Sequence, residues 1–360
     1  MCYASGPYPK YLPKLLLSWR RVAIFWPQAG ARLHMKPNTS AQFLYTDSQP
    51  AEQDILAEVL AGLRASQLSI SPKYFYDERG SQLFEAITKL PEYYVTRTEL
   101  SLFDEHLSDI AEVIGPDCCV IEYGSGSTLK IRRVLSALRP AAYVPVDISG
   151  DYLLEGAQRL AEDFAELDIF PICADFTQHL ALPEALSSLS KVGFFPGSSI
   201  GNFEPEHAAE FMRRVNTTLG PEGLLLIGVD CKKDVKILEA AYDDSEGVTA
   251  QFNLNALSNL NLKLGANFRP DRFEHVARYN ESLGCIQMFL RSSCYQEVTL
   301  GGHTIEIQEG QAIHTENSYK YFPEEFLALA AKAGFAPAQY WLDDQQHFGL
   351  YLLRVAPEAN

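Results

Sequence analysis

No run of 18 apolar residues occurs in this 360-residue chain, so nothing in it reads as a membrane-spanning helix. Cys-x-x-Cys is also missing. The seven cysteines (Cys2, Cys118, Cys119, Cys173, Cys231, Cys285 and Cys294) are odd in number, and most lie in or beside apolar stretches. Reduced, buried thiols are expected, not a redox or metal centre. The eight histidines form no HxxxH or HExxH pair, which leaves a metal-dependent chemistry without its usual ligands. Basic charge is scarce: 30 Lys and Arg stand against 46 Asp and Glu, a formal net charge of −16. Phosphate contacts need clustered cations, so a nucleic-acid partner is excluded. What remains is a soluble, cytoplasmic protein acting on a small molecule, with no membrane partner, as a monomer or a weak homo-oligomer.

Acid is what the N-terminus lacks. The first 46 residues hold six Lys and Arg and no Asp or Glu, around the apolar, basic stretch "KYLPKLLLSWRRVAIFW". Two readings stand: an organellar or membrane-surface targeting segment, or sequence upstream of a start at Met35. Both put residues 1–46 outside the fold.

Beyond it, apolar periodicity predicts a helix over 51–65 and another over 97–115, with Gly115 as its stop. The character then changes to short, continuously apolar strands alternating with helices: 118–123, 142–147, 168–175, 191–199 and 223–230 as strands. Such strands are covered on both faces, the pattern of a parallel, doubly wound α/β sheet. From 231 to 319 the alternation breaks into a helical stretch, 233–265, followed by antiparallel strands over 273–280, 285–300 and 303–310. A helix over 323–335 and strands over 337–344 and 348–355 close the chain. The expectation is an α/β domain interrupted by an α+β insertion.

"VIEYGSGSTLK" (120–130) joins the first strand of this sheet to a helix through a glycine turn. Gly124 and Gly126 let backbone approach a ligand, and ligands of such sheets sit at the carboxyl ends of the strands. Asp147 ends the next strand, placed for ribose hydroxyls, and Asp175 ends the third, placed for an adenine amine. A dinucleotide enzyme uses Gly and Asp in the same way. Here, however, Leu129 stands at the third glycine position of GxGxxG, and Glu122 precedes the turn. A carboxylate there repels a pyrophosphate and attracts the ammonium or sulfonium of S-adenosyl-L-methionine. The residues point to a methyltransferase.

An aromatic-rich run, "YFYDERGSQLFEAITKLPEYYVTRTE" (74–99), fits neither a helical nor a strand period. With "IEYGSGSTLKIR", "FFPGSSIGNFEP", "AAYDDSEGVTAQFNLNAL" and "IHTENSYKY", it resembles the L-histidine Nα-methyltransferases of ergothioneine biosynthesis, over residues 50 to 355. The resemblance implies a Rossmann-like class I methyltransferase domain (98–231 and 321–360) and a smaller substrate domain (47–97 and 232–320), with the tyrosines lining the cleft between them. It places Tyr76, Gly124, Lys130, Asp147, Asp175 and Phe176 at the cofactor. Tyr93, Asn202 and Tyr242 fall around the amino-acid head group, and Met288, Glu316 and Ser318 around its side chain. Tyr76 and Asn202 carry the catalytic positions, and Tyr94 reads as packing. Asn317 and Ser199 depart from the family pattern without touching the chemistry. The implied activity is conversion of L-histidine through mono- and dimethyl forms to trimethylhistidine (hercynine). Because the superfamily also contains fungal enzymes for other aromatic amino acids, methylation of tryptophan or a derivative is the alternative, and the Glu316/Ser318 pair speaks for histidine.

Overall fold

The computed structural model describes residues 32–33, 41–48, 52–126 and 128–357. The chain enters through two short strands, β1 (Arg32–Leu33) and β2 (Leu44–Asp47), and a helix, α1 (Glu52–Leu63). The aromatic run then resolves into three pieces: a 3-10 turn at Pro72–Phe75, α2 (Glu78–Ile87), and the start of α3 (Tyr94–Ile114). Asp77 caps α2 by accepting the Gly80 N–H at 2.7 Å, satisfying a donor that the helix end leaves open. Because the run changes conformation three times within 26 residues, no single period could describe it.

Alternation follows: β3 (Cys119–Tyr123), α4 (Thr128–Leu138), β4 (Ala142–Asp147), α5 (Gly150–Asp163), β5 (Asp168–Ile169), β6 (Ile172–Cys173), β7 (Lys191–Phe195), α6 (Pro205–Leu219) and β8 (Leu224–Asp230). The stretch expected as one strand over 168–175 is split into β5 and β6 at Phe170–Pro171, since proline cannot donate to a ladder. Next come α7 (Val235–Tyr242), α8 (Val248–Leu264), β9 (Phe273–Asn280), β10 (Cys285–Ser292), β11 (Gln296–Leu300), β12 (His303–Ile307) and β13 (Ala312–Tyr319). The helix expected over 233–265 is therefore two helices. Asp244 turns the chain between them and caps α8, accepting the N–H groups of Val248 and Thr249. The strand expected over 285–300 is likewise two, in different sheets, and β13 was not anticipated as a strand. Helix α9 (Pro323–Lys332) and the hairpin β14 (Phe335–Leu342) and β15 (Phe348–Val355) end the described chain.

The main sheet runs β1-β2-β6-β4-β3-β7-β8-β15-β14, with β5 beside β4. Strands from β2 to β8 are parallel, and β15 returns antiparallel against β8. Within β8, Leu224 and Leu226 join one apolar layer while Leu225 and Ile227 join the other, so the sheet is sealed on both faces. Strand order reverses between β3 and β7, and at such a switch point the connections leave in opposite directions and open a crevice at the carboxyl ends.

One expectation needs correction. Residues 41–46 are not outside the fold: β2 pairs in parallel with β6 through Thr46 and Asp47, and Phe43 is buried in the core. Burial of the Phe43 ring and ladder bonds to β6 dock this stretch, whatever the charge of the residues before it. Residues 1–31 and 34–40 lie outside the described residues.

A second, three-stranded sheet, β13-β10-β9, lies with α7 and α8 over the crevice. Among the described residues no helix is long and apolar enough to cross a membrane.

Candidate active site

At the carboxyl end of β3 the chain turns at Gly124, whose φ of +81° disfavours any side chain, and a Cβ there would meet the Phe176 ring at 3.5 Å. A Cβ on Gly126 would meet nothing within 4 Å, so the turn presents bare backbone to open space. Asp147, at the end of β4, accepts the Ser149 N–H at 2.8 Å, while burial pushes its carboxyl up to about 6. Asp175, beyond β6, accepts from the Thr177 N–H at 2.9 Å and hydroxyl at 2.6 Å and lies 3.7 Å from the Lys73 ammonium. Residues following Asp147 (Ile148, Ser149, Gly150) join Lys73, Tyr74 and Tyr76 around a cavity of ≈ 500 Å³. Bare glycine backbone and two acids at adjacent strand ends fit an adenosyl ligand.

Two cofactor expectations change in detail. Glu122 does not face the crevice as a free carboxylate. It is buried, accepts a short hydrogen bond from the Tyr143 hydroxyl, and is pushed up to about 8 by desolvation. The Tyr143 hydrogen bond and the Lys130 ammonium pull the other way, but desolvation outweighs both, and Glu122 holds its proton near neutrality. Lys130 points at Glu99, 2.5 Å away. That buried carboxylate also accepts the Gly197 N–H at 2.9 Å, so α3, α4 and the loop after β7 are pinned together. Lys130 thus shapes the crevice through Glu99.

A second, smaller cavity opens beside the first. Its walls include Tyr76, Tyr93, Asn202, Tyr242, Met288, Glu316 and Ser318, which come from six separate segments of the chain. Tyr76 lines both cavities and stands at their junction. Edge-on packing against Phe252, with ring centroids 5.4 Å apart, holds its ring. Tyr93 packs similarly on Phe84 at 6.2 Å. Burial raises the phenols of Tyr76, Tyr93 and Tyr242, which keeps them as hydrogen-bond donors and unsuited to act as bases.

Asn202 ends the 3-10 turn Ser199–Asn202. This turn approaches β13 so closely that a Cβ on Gly201 would lie 2.7 Å from the Tyr319 carbonyl. Only glycine allows that approach, and it brings Asn202 alongside Ser318. On β13, Glu316 and Ser318 are two residues apart and share a face, and Glu316 pairs across to Met288 on β10. Glu316 is 7% exposed and is pushed up to about 8 by desolvation, opposed by the Lys320 ammonium.

Behind this wall lies a buried polar cluster that sequence reasoning missed. Lys320 is fully buried and donates to the Tyr242 hydroxyl at 2.8 Å, to Ser318 Oγ at 2.8 Å and to Asp230 at 2.8 Å. Asp230 also receives Lys233, through a short contact, and the Tyr94 hydroxyl at 2.8 Å. Burial acts against its charge, but the two ammoniums hold its carboxyl below the usual range. Tyr94, read as packing, is therefore a hydrogen-bond donor as well. A period-2 signal was present, because Lys320 continues the spacing of Glu316 and Ser318 one residue past the end of β13. His275 supports the wall from outside. Asn253 donates to its Nδ1 at 2.8 Å, which leaves Nε2–H to donate to the Tyr242 carbonyl at 2.8 Å.

Known proteins share this arrangement of sequence. A profile described as "Histidine-specific methyltransferase, SAM-dependent" matches residues 55–355. A histidine N-alpha-methyltransferase of Mycolicibacterium smegmatis is 38% identical over 319 residues, covering 87% of this chain and 98% of its own. Its counterpart in Mycobacterium tuberculosis is 37% identical over 301 residues, covering 82% and 93%. A 4-dimethylallyltryptophan N-methyltransferase of Claviceps purpurea is more distant, 23% identical over 339 residues, with 86% and 97% covered. The chain belongs to the histidine-specific, S-adenosylmethionine-dependent methyltransferase family.

Proposed function

We propose that this chain methylates the α-nitrogen of L-histidine three times, giving trimethylhistidine and opening ergothioneine biosynthesis. The observation that carries the reading is the smaller cavity. It sets a buried carboxyl and a serine hydroxyl, Glu316 and Ser318, in one cavity with the head-group candidates Tyr93, Asn202 and Tyr242 and with Tyr76. Gly124, Gly126, Asp147 and Asp175 would hold S-adenosylmethionine, which when bound supplies an electrophilic methyl group.

The chain's own contribution is positioning. Each transfer needs a neutral amine lone pair aligned with the methyl, and holding the pair in line removes much of the barrier. An α-amine titrates near ~8, so a useful neutral fraction exists without a strong base. Three transfers release three protons in all, one before each attack. Asn202 and the protonated tyrosines orient the head group without placing an anion beside it. Glu316 meets the ring: as a neutral acid it donates to an imidazole nitrogen, and as a carboxylate it accepts from an imidazole N–H. A polar pocket of this kind rejects rings that cannot answer it, because its buried groups are then left unpaired.

Competition decides the substrate. Purified protein, S-adenosylmethionine and equimolar histidine, tryptophan and tyrosine are incubated together and followed by mass spectrometry. Histidine is expected to gain 14, 28 and then 42 mass units, about the increments of one, two and three methyl groups replacing hydrogen. Faster turnover of tryptophan or tyrosine would overturn the assignment.

A further inference from the structure

The Tyr242 and Ser318 hydroxyls lie 2.7 Å apart, and either can be the donor. Lys320 donates to both. An ammonium has three N–H groups and no lone pair, and here the third goes to Asp230. Each hydroxyl has one proton and two lone pairs. With one lone pair on each taken by Lys320 and one proton used between them, a single O–H remains for the cavity that both residues line. Lys320 itself is fully buried and lines neither cavity.

We propose that Lys320 is a positioning residue for amino-acid recognition, which locks Tyr242 and Ser318 into one hydrogen-bonded unit offering a single donor to the bound substrate. The inference rests on the histidine reading above. Its consequence is a coupling between the two ends of the substrate. When Tyr242 donates to the carboxylate, Ser318 must donate to Tyr242, and Ser318 then offers the ring only a lone pair. The ring must answer with an N–H at that position, and its other nitrogen is left to Glu316. Head-group binding therefore selects which ring nitrogen carries hydrogen. Asp230, Lys233 and Lys320, all buried, carry one surplus positive charge, which favours the Tyr242-to-carboxylate arrangement. Lys320 is held charged by its ion pair with Asp230, 2.8 Å away.

The test is histidine binding by calorimetry in the presence of saturating S-adenosylhomocysteine, on wild type, Lys320→Met, Ser318→Ala and the double variant. Lys320→Met is expected to raise the histidine Kd about 10- to 100-fold, the range of one lost charge-assisted contact, and to leave the S-adenosylhomocysteine Kd within about twofold. In the Lys320→Met background, Ser318→Ala should cost much less than it does alone, because the lysine acts through that hydroxyl. Should Lys320→Met fail to fold, the charge-balanced Asp230→Asn/Lys320→Met protein replaces it, with the same expected rise in histidine Kd. Wild-type histidine affinity in either variant, or fully multiplicative effects of Lys320→Met and Ser318→Ala, would overturn the inference. Absence of histidine binding by the wild type would instead remove the reading on which it rests.

Discussion

Glu316 shows how one side chain's surroundings set its chemistry. Burial lifts its carboxyl from the usual 4.5 to about 8, so the ligand-free native state holds a proton that the unfolded chain gives up near 4.5. Stability from this group is complete below that value and is lost as pH rises through about 8. Glu316→Gln removes the titration. Its melting temperature should match wild type near pH 5 and exceed it by several degrees at pH 9, read by calorimetry without ligand. No divergence between the two curves across that range would mean the carboxyl is solvated. Function should move the other way. Glu316→Ala is expected to weaken histidine binding by roughly 2–4 kcal/mol, since a ring nitrogen loses its partner in a closed site. The change belongs mainly in KM, because the ring is remote from the reacting nitrogen. Steady-state kinetics with unchanged histidine KM would end the case for histidine over another amino acid.

At the scale of elements, the site is an agreement between a turn and a strand. The 3-10 turn Ser199–Asn202 follows β7 of the main sheet, β13 belongs to the smaller sheet, and Gly201 lets them touch. Ser198, at φ 59°, bends the chain into that turn, and its hydroxyl accepts the Asp230 N–H at 2.9 Å. Gly201→Ala puts a methyl group 2.7 Å from the Tyr319 carbonyl, so the turn or the strand must shift. Overpacking of this kind costs about 1–3 kcal/mol. The variant should melt earlier and show a larger rise in KM for histidine than for S-adenosylmethionine. Equal changes in both constants would place the effect outside the turn–strand contact.

For the whole molecule, the N-terminal boundary is the open question that truncation answers. A chain beginning at Met35 loses, among the described residues, only the two-residue β1 and is expected to keep its soluble yield and turnover. A chain beginning at Ser48 also loses β2 and the buried Phe43. Removing a buried phenylalanine alone costs about 3–5 kcal/mol, so its denaturant midpoint should fall clearly below that of the Met35 chain. Identical midpoints would show that the edge strand contributes nothing to the fold. Saturating S-adenosylhomocysteine should raise the melting temperature of the Met35 chain, as any ligand of the native state does.

The alternation of continuous strands with helices, the glycine turn after β3 and the acids ending β4 and β6 were all legible in the sequence. Each is dictated by local chemistry: two-sided burial of a strand, backbone freedom at Gly124, and the short reach from a strand end to its own loop. The gathering of Tyr76, Asn202, Tyr242, Glu316 and Ser318 into one cavity was legible only by resemblance, because no local rule relates residues so far apart in the chain. Breaks inside the insertion were not legible, since an apolar stretch such as 285–300 does not announce which strand it will pair with. Charge state was decided by tertiary structure alone. Asp230 stays ionised because Lys233 and Lys320 converge on it and Tyr94, 136 residues away, donates to it, whereas Glu122 keeps its proton because its desolvation outweighs the Tyr143 hydrogen bond and the pull of Lys130. A carboxylate's letter in the sequence states its capacity for charge, but the dielectric and the partners that fix the charge exist only once the chain has folded.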